Sequence, residues 1–395
     1  MQDGTSLRSA LLITRRSAVS LFARRREDLI ESIETRLLWE GKKSRACWFH
    51  PKVALTKNSL LMTVQLLTDS DVMHQPHYSE SFDSGKTWTE RKPIPALERT
   101  VLGGGFEDVV SDVVPEFHPK TGVVLCLGQD VHYKDEKLIR PGEDRWIRYF
   151  VRKADGSWTK PKKLDFPHPE ATMLMSTGCS QRWTLPNGDV LVPVTMLASR
   201  PDHSVSTLLC SFDGIDLKAK RLGNILKLPV KRGLMEPSIT KHDGKFWLTI
   251  RAEDERGHFA VSPDGLSWER LETHTFDDGS PLITSTTQQH WINHSEKLYL
   301  TYTRKDASNE KIFRWRTPTF MAEFDTRRKV LVKATERIIV PRDGDAMHGN
   351  FHVTHISPRE TLVSLADILV DKPFRGDTLI TSIRWRRDNA ARTNR

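Results

Sequence analysis

The sequence has no apolar stretch long enough to cross a bilayer as a helix. Such a span needs about 20 consecutive apolar residues, and charged or polar residues interrupt every hydrophobic run here well before that length. The sequence therefore predicts no membrane span. The 395 residues carry a net charge of +9, but Lys and Arg are scattered and no DNA- or RNA-binding signature appears. We expect no nucleic acid partner, and the charge fits a solvated basic surface or an acidic glycan partner.

Cysteine is scarce, and no two cysteines lie close together in the sequence. The four are Cys47, Cys126, Cys179 and Cys210. None belongs to a CxxC pair, so the cysteine spacing does not indicate a zinc site, and each falls in an apolar segment where a buried free thiol is expected. His74 and His77 lack a recognised ligand spacing, and the glycines at 103–105 lack the Lys-Ser/Thr of a nucleotide loop. The sequence predicts no metal and no cofactor.

Long helical periodicity is missing as well. From about residue 46, short runs rich in Val, Leu, Phe, Trp and Thr alternate with Gly, Asp, Asn and Pro, which is typical of strands joined by tight turns. Asn187-Gly188 and Asp243-Gly244 separate such runs, as hairpin turns do. The sequence therefore predicts an all-β domain with many short strands, which is a sandwich, a barrel or a propeller.

A recurring turn element favours the propeller. Its clearest copy is SFDSGKTW at 81–88, with weaker copies at 262–268, from Ser211 and ending at Trp158. In this element the Asp accepts backbone N–H groups, the Gly permits a positive φ, and the Trp packs into the core. The segments that would start a blade lie roughly 52 to 67 residues apart; they begin at Phe49, Val113, Ser180, Glu236, Gln288 and Asn350. Six starts predict a six-bladed β-propeller.

The two ends of the chain are expected to lie outside the propeller, which would span residues 46–390. Residues 1–45 would form an N-terminal extension, partly helical or disordered, and residues 391–395 a disordered basic tail. Apolar residues recur at helical spacing from Leu29 to Leu38, which predicts a short helix there. The arginines at 15–16, followed by a short apolar stretch, are similar to a twin-arginine export signal. Location is left open between the cytoplasm and export, and oligomeric state is also open.

The element SFDSGKTW resembles the Asp-box, or BNR repeat, of the sialidase (neuraminidase) superfamily. The resemblance covers roughly residues 46–390 and implies a six-bladed propeller with its active site at one end of the central axis. In that family the site combines three arginines on the sialic acid carboxylate, a Tyr nucleophile paired with a Glu, and an Asp acid/base. It thus implies a glycosidase with a carbohydrate substrate.

The first blade supplies two matches to this pattern. In the segment WFHPKV, His50 stands where the family has its first arginine, and an imidazole can bind an anion or act as an acid or base. The following loop contains Asp69 and Asp71, and either matches the acid/base Asp. We assign Asp71 to catalysis and Asp69 to substrate binding. The opposite assignment of the two roles stays open.

The closest match is the segment MEPSITKHDGKFWLTIRAED. Glu236 opens one strand and Arg251 ends the next, as do the family's Glu and second arginine. Two adjacent antiparallel strands can bring both side chains to the same end of a blade. We therefore assign Glu236 to catalysis and Arg251 to substrate binding. The alternative is a structural salt bridge.

The third arginine and a neighbouring glutamine come from the fifth blade. The segment FRWRTP offers Arg316 or, less well, Arg314, and Arg304 is a further alternative. Gln289 lies where that blade's inner strand opens, so it is expected to reach the axis. We assign Arg316 and Gln289 to substrate binding.

The nucleophilic Tyr has no counterpart in this sequence. The segment that opens the last inner strand is HGNFHVT, which places Asn350 or Phe351 where the family has Tyr. Without a phenol, double-displacement sialidase chemistry is not supported. His352 is assigned instead as a base or a binding group.

Three functions fit the remaining groups. Asp71 and Glu236 fit the acid and base of an inverting glycoside hydrolase, which leaves room for water between them. Histidine with arginine fits a polysaccharide lyase acting on uronic-acid glycans. A site without a nucleophile fits a carbohydrate-binding propeller that does no chemistry. The sequence favours the hydrolase, acting on an acidic or sialic-like sugar, because arginine forks suit carboxylates.

Overall fold

The computed structural model describes residues 28–69, 71–139, 145–198, 202–371 and 374–391. The arginines of the predicted export signal and most of the predicted tail lie outside these ranges. Within them, helix is limited to α1 (Gly41–Ser44) and the 3-10 turns Pro169–Ala171, Phe313–Trp315 and Lys333–Thr335. None of the described helices is long and apolar enough to span a membrane. The predicted all-β class is confirmed.

The strands follow one another along the whole described chain. In order they are β1 (Ile30–Trp39), β2 (Trp48–Leu55), β3 (Leu60–Asp69), β4 (Val72–Ser81), β5 (Lys92–Pro93), β6 (Thr100–Gly103), β7 (Phe106–His118), β8 (Val123–Lys134), β9 (Lys137–Leu138), β10 (Arg145–Arg152), β11 (Lys162–Lys163), β12 (Leu174–Ser176), β13 (Trp183–Thr184), β14 (Val190–Leu197), β15 (His203–Phe212), β16 (Leu217–Leu222), β17 (Met235–His242), β18 (Lys245–Arg251), β19 (Gly257–Ser262), β20 (Glu272–Thr273), β21 (His290–His294), β22 (Lys297–Tyr302), β23 (Thr319–Asp325), β24 (Val330–Leu331), β25 (Arg337–Val340), β26 (Met347–His348), β27 (His352–Ser357), β28 (Glu360–Leu369) and β29 (Arg375–Trp385).

These strands form five hydrogen-bonded sheets in the described residues, arranged as a β-propeller. Four sheets are separate: β2–β5, β17–β20, β21–β25, and β1 with β26–β29. The fifth has 11 strands, because a short parallel contact between β10 and β12 joins two antiparallel sets. Hydrogen bonding thus separates four blade-sized sheets, whereas the sequence predicted six blades.

The innermost strands surround the axis of the propeller. Strand β2 contacts β7 and β27, and β21 contacts β17 and β27. An inner strand of one sheet therefore packs against an inner strand of the next. Side chains on these strands converge on the axis from different parts of the chain, and this convergence creates the site described below.

The predicted helix near the N-terminal end of the described chain is wrong. Residues 30–39 form strand β1, which pairs antiparallel with β29, and the hydroxyls of Thr35 and Thr381 lie 2.8 Å apart. The apolar residues that suggested a helix do not form one buried face, because Leu29 is buried while Leu37 is 48% exposed. Pairing with a strand so distant in sequence decides the conformation, and local periodicity carries no signal of it.

Large apolar side chains fill the spaces within and between the sheets. One such cluster contains Trp247, Trp291 and Phe324. All four cysteines are buried and unpaired, as predicted.

Two of the predicted turn elements have the same internal hydrogen bonds. Asp83 accepts a bond from the Thr87 backbone N–H at 2.9 Å, and Asp264 accepts one from the Ser267 N–H at 2.7 Å. Gly85 has φ of 86°, which glycine adopts without strain. The bonds from Thr87 lower the pKa of Asp83 to about 2. Each loop therefore satisfies its own polar groups, as expected of a structural turn.

Candidate functional site

Four non-glycine residues with positive φ lie at one end of the axis. They are His50 (φ 52°), Asp112 (56°), Cys179 (61°) and Glu236 (46°). Strands β2, β7 and β17 each shift register against their neighbour at this point. A β-bulge redirects a side chain, and left-handed backbone costs roughly 1–2 kcal/mol per residue outside glycine. Strain repeated on neighbouring strands marks this end of the axis as a candidate site.

His50, Asp112 and Cys179 form a buried hydrogen-bonded cluster, called the His-Asp-Cys cluster below. Nδ1 of His50 contacts Oδ1 of Asp112. The Cys179 thiol donates to the same oxygen at 3.2 Å and lies 4.0 Å from Nδ1 of His50. The other Asp112 oxygen accepts a bond from Gln129 Nε2 at 2.6 Å. Nε2 of His50 has no hydrogen-bond partner among the described residues, although His50 is only 4% exposed.

Burial and the neighbouring charges set the protonation of this cluster. Burial alone would raise the pKa of Asp112, but His50 holds it far below the usual range. Burial lowers the pKa of His50, and this effect outweighs the opposing influence of Asp112. Burial, together with Asp112, raises the pKa of Cys179 well above its usual range. A buried thiol with a raised pKa stays protonated at neutral pH, and a protonated thiol is a poor nucleophile.

Glu236 and Arg251 form an ion pair beside this cluster. Nη1 of Arg251 lies 2.5 Å from Oε1 of Glu236, and Nε of Arg251 donates to the Thr286 hydroxyl at 2.7 Å. The backbone N–H of Glu236 donates to Thr195 Oγ1 at 2.9 Å. The second carboxylate oxygen, Oε2, is buried without a partner among the described residues. It can accept a hydrogen bond from a ligand.

Arg314 and Arg316 lie on the turn between β22 and β23. Arg316 is 8% exposed, and its Nη2 donates to Asn350 Oδ1 at 3.1 Å. Its Nε has no partner, and no carboxylate of the described residues lies within ion-pair distance of its guanidinium. Burial lowers the pKa of Arg316 to about 10, and Arg251 and Arg314 add to this effect. We call Arg251, Arg314 and Arg316 the arginine cluster; its excess positive charge favours an anion.

The predicted acid/base aspartates lie in and beside the turn between β3 and β4. Asp71 is half-buried with φ of 58°, and its backbone carbonyl accepts a 2.7 Å bond from the Tyr133 hydroxyl. The negative charges of Glu236 and Asp71 raise the pKa of Arg316 and so oppose the lowering caused by burial. Asp69 ends β3 and pairs with Val72 across the turn. The fold therefore brings the charge of Asp71 close to the arginine cluster.

Two predicted site residues lie elsewhere. Gln289 is buried against the neighbouring sheet, where the Thr249 hydroxyl donates to its Oε1 at 2.6 Å. His352 accepts a 3.3 Å bond at Nδ1 from the backbone N–H of Val53. Burial holds the pKa of His352 well below its usual value. Neither side chain contacts the arginine cluster in these hydrogen bonds.

His352 lines a cavity of about 520 Å³ on the axis, called the axial cavity below. Its lining includes Val53, Glu116, Arg182, Trp183, Trp291 and His352. These residues follow the positive-φ positions along the same or adjoining innermost strands. A strand rises about 3.3 Å per residue, so the axial cavity lies toward the other end of the axis from the arginine cluster.

Asp112 and Cys179 were not predicted as site residues from the sequence. Each immediately precedes a segment that was recognised as the start of a blade, at Val113 and Ser180. Glu236 begins its own segment and His50 is the second residue of its segment, so the four residues share no single position relative to the segment starts. The signal that could have found Asp112 and Cys179 is a polar or nucleophilic side chain within one residue of a blade start.

Comparisons with known proteins support the fold. No family model matches the chain, and no curated protein matches it significantly. Among solved structures, Trypanosoma rangeli sialidase has a TM-score of 0.62 at 14% identity, covering 89% of this chain and 59% of its own. A protein of unknown function from Dyadobacter fermentans DSM 18053 has a TM-score of 0.62 at 17% identity, covering 90% and 100%. A Hadza microbial sialidase has a TM-score of 0.63 at 13% identity, covering 86% and 66%.

The chain therefore has a divergent sialidase-like propeller fold. It spans about 59% of the length of the Trypanosoma rangeli sialidase that it matches. That sialidase has been solved in complex with sialic acid. At identities this low the likeness extends to the fold alone, since one fold carries many functions.

Proposed function

We propose that this protein is a sialidase-like glycoside hydrolase acting on an acidic sugar bound at the arginine cluster. The observation that carries the proposal is the buried guanidinium of Arg316, which has no carboxylate partner among the described residues. A buried, unbalanced charge is costly. An anionic ligand would remove that cost, and a sugar carboxylate matches the planar fork of an arginine.

The proposed roles follow the placement of the side chains. Arg316, with Arg251 and Arg314 beside it, binds the sugar carboxylate. Asp71 is the proposed general acid, since it lies in an accessible turn. Glu236, whose Oε2 has no protein partner among the described residues, is the proposed base that orients water. This pair fits single displacement with inversion.

Asn350 supports inversion over a covalent intermediate. It precedes β27, where the resemblance to sialidases places a Tyr nucleophile. Its amide nitrogen donates to Cys179 Sγ at 3.3 Å, and its oxygen accepts from Arg316. The Asn350 side chain supplies no phenol at this position, so the proposal takes water as the nucleophile that attacks directly.

We further propose six blades, obtained by dividing the 11-stranded sheet between β10 and β12. The strands β7, β8, β10 and β11 would then be one blade, and β13 to β16 another. The antiparallel order of strands within each set supports this division. The Asp83 and Asp264 turns, with their shared hydrogen bonds, are proposed to be Asp-boxes.

Binding is the first test, because the hydrolase and the carbohydrate-binding alternative both require it. We expect calorimetry to show that the wild type binds sialic acid or a uronic acid and not a neutral hexose. Arg316→Lys keeps the charge but loses the fork, so affinity should fall by about tenfold or more. The matched control is Arg327→Lys, at an exposed arginine. Failure of the wild type to bind any acidic sugar, or equal affinity in Arg316→Lys, would refute the proposal.

Turnover then separates the hydrolase from its alternatives. The substrates are aryl sialosides, aryl uronides and acidic oligosaccharides, with products read by mass spectrometry. We expect the wild type to release a sugar and Glu236→Gln to be slower by about 10²–10⁴-fold. The first product resolved by NMR should have the inverted anomeric configuration. Binding without turnover would instead support a carbohydrate-binding propeller, and an unsaturated product a lyase.

A further inference from the structure

The His-Asp-Cys cluster combines three ligand types that transition metals favour. His50, Asp112 and Cys179 offer a nitrogen, an oxygen and a sulfur that all lie within 4.8 Å of one another. Around a tetrahedral zinc ion, with bonds of roughly 2.0–2.3 Å, ligand atoms are about 3.5 Å apart. Two of the three separations, 3.2 Å (Sγ to Oδ1) and 4.0 Å (Sγ to Nδ1), bracket that value. The third pair, Nδ1 of His50 and Oδ1 of Asp112, is in direct hydrogen-bond contact and has to move apart around an ion.

We propose that His50, Asp112 and Cys179 bind a divalent transition-metal ion, for which zinc is the best match. Mixed nitrogen, oxygen and sulfur ligands suit zinc better than magnesium or calcium, which prefer oxygen alone. Three protein ligands leave a fourth position for water or a substrate oxygen, as in catalytic zinc sites. The proposal concerns metal binding and does not depend on the proposed hydrolase activity.

The charges of the three ligands suit a dication. On binding, the S–H bond of Cys179 breaks, a sulfur–metal bond forms, and the proton leaves to solvent. The thiolate and the Asp112 carboxylate then carry two negative charges, which balance the two positive charges of the ion. The imidazole ligand is neutral. Net neutrality matters here because all three residues are buried.

Neighbouring amides orient two of the ligands. Gln129 Nε2 donates to Oδ2 of Asp112 at 2.6 Å, which leaves Oδ1 for the ion. Asn350 Nδ2 lies 3.3 Å from Cys179 Sγ and can stabilise a thiolate. Such second interactions fix ligands in metal sites.

His50 has a second ring nitrogen that is free to bind a ligand beside the ion. The imidazole is 4% exposed, yet its Nε2 has no hydrogen-bond partner among the described residues. A buried polar atom without a partner is rare in a folded protein. With Nδ1 on the ion, Nε2 carries a proton and can donate to a ligand held at the same end of the axis.

The test uses the full-length protein stripped of metal with a chelator and titrated with Co²⁺ alone. We expect one equivalent to bind, with a thiolate-to-cobalt charge-transfer band and visible bands of tetrahedral intensity. Zinc should then displace the cobalt and raise the melting temperature. Because binding releases the thiol proton, affinity should rise by about tenfold per pH unit near neutrality.

Matched cysteine variants locate the site. Cys179→Ala should lose the charge-transfer band and weaken cobalt binding by on the order of 100-fold. Cys126→Ala and Cys210→Ala, which also remove buried thiols, should retain both. Asp112→Asn provides a second variant if Cys179→Ala fails to fold. Absence of the band in the wild type, or its persistence in Cys179→Ala, would overturn the proposal and leave the proposed hydrolase untouched.

Discussion

Two buried arginines at opposite ends of the axis have different environments. Arg182, at the axial cavity, donates to the Val114 and Leu125 carbonyls at 3.0 and 2.6 Å, and its Nε lies 3.3 Å from Glu116. Arg316, at the arginine cluster, donates to Asn350 and leaves its Nε without a partner among the described residues. The two side chains are 4% and 8% exposed. Similar burial thus accompanies different bonding, because the donors of Arg182 are bound to the fold whereas Nε of Arg316 is the donor that we propose a ligand uses.

The largest expected effect is on stability at Arg182. Arg182→Met should lower the free energy of unfolding by about 3 kcal/mol, because it leaves two buried carbonyls and Glu116 without their partner. The same change at Arg316 should leave stability unchanged or raise it by on the order of 1 kcal/mol, since it removes an unbalanced buried charge. Denaturant unfolding of both variants measures the difference. Equal losses would remove the distinction between the two ends.

A pair of buried aspartates sharpens the same comparison. Both oxygens of Asp112 accept hydrogen bonds. Oδ1 of Asp367 has no hydrogen-bond partner among the described residues and lies 3.8 Å from Nε2 of His348, while Lys42 lies 2.5 Å from Oδ2. Burial raises the pKa of Asp367 to about 6 despite Lys42. Because the pKa of Asp367 is higher in the folded than in the unfolded state, the protonated side chain stabilises the fold below pH 4. This stabilisation is lost as the pH rises through 6.

We therefore expect stability to fall between pH 4 and pH 7 by more in the wild type than in Asp367→Asn. The difference should be on the order of 2–3 kcal/mol, from a shift of about two pKa units. Unfolding free energies across that range measure it. Using the difference between the two proteins cancels the contribution of other titrating groups. If the unfolding free energies of the two proteins change in parallel with pH, burial does not destabilise the charged form of Asp367, which would contradict the prediction.

The smallest expected effect is at an exposed turn whose polar groups are satisfied. Asp83→Asn should lower the melting temperature by at most a few degrees, because the amide oxygen can still accept the Thr87 backbone N–H bond, although the bond from the Thr87 hydroxyl is lost. The pKa of Asp83 is depressed to about 2, so its stabilising effect is present above pH 4 and is lost as the pH falls through 2. Thermal melts at pH 7 and pH 3 should thus differ less in the variant than in the wild type. Asp264→Asn is the equivalent change in the second loop.

The sequence was informative where local pattern determines structure. Strand runs and turn pairs predicted the all-β class, and SFDSGKTW predicted the turn around Asp83. Strand β1 could not be predicted, because residues 30–39 are held by pairing with 375–385 and their own periodicity resembles a helix. The number of separate sheets also depends on a contact, between β10 and β12, that has no local signature.

The candidate site was predictable to the extent that each residue matched a known motif. Glu236 and Arg251 were assigned from one segment, and they form an ion pair. Asp112 and Cys179 belong to no motif. They lie beside His50 only because the propeller brings its innermost strands together around the axis. His352 was assigned from its proximity in sequence to the expected Tyr position, but its hydrogen bond to Val53 places it at the axial cavity.

The pairing of β1 with β29 has a consequence for how the protein is made. A ribosome makes residues 30–39 long before residues 375–385, so β1 has no partner until the residues between the two strands have been synthesised. Long-range pairing of this kind slows folding. Until it forms, the unpaired strand edge can pair with strands of other chains and cause aggregation. We therefore expect the pairing of β1 with β29 to be a late step of folding. A chaperone would contribute most at this step.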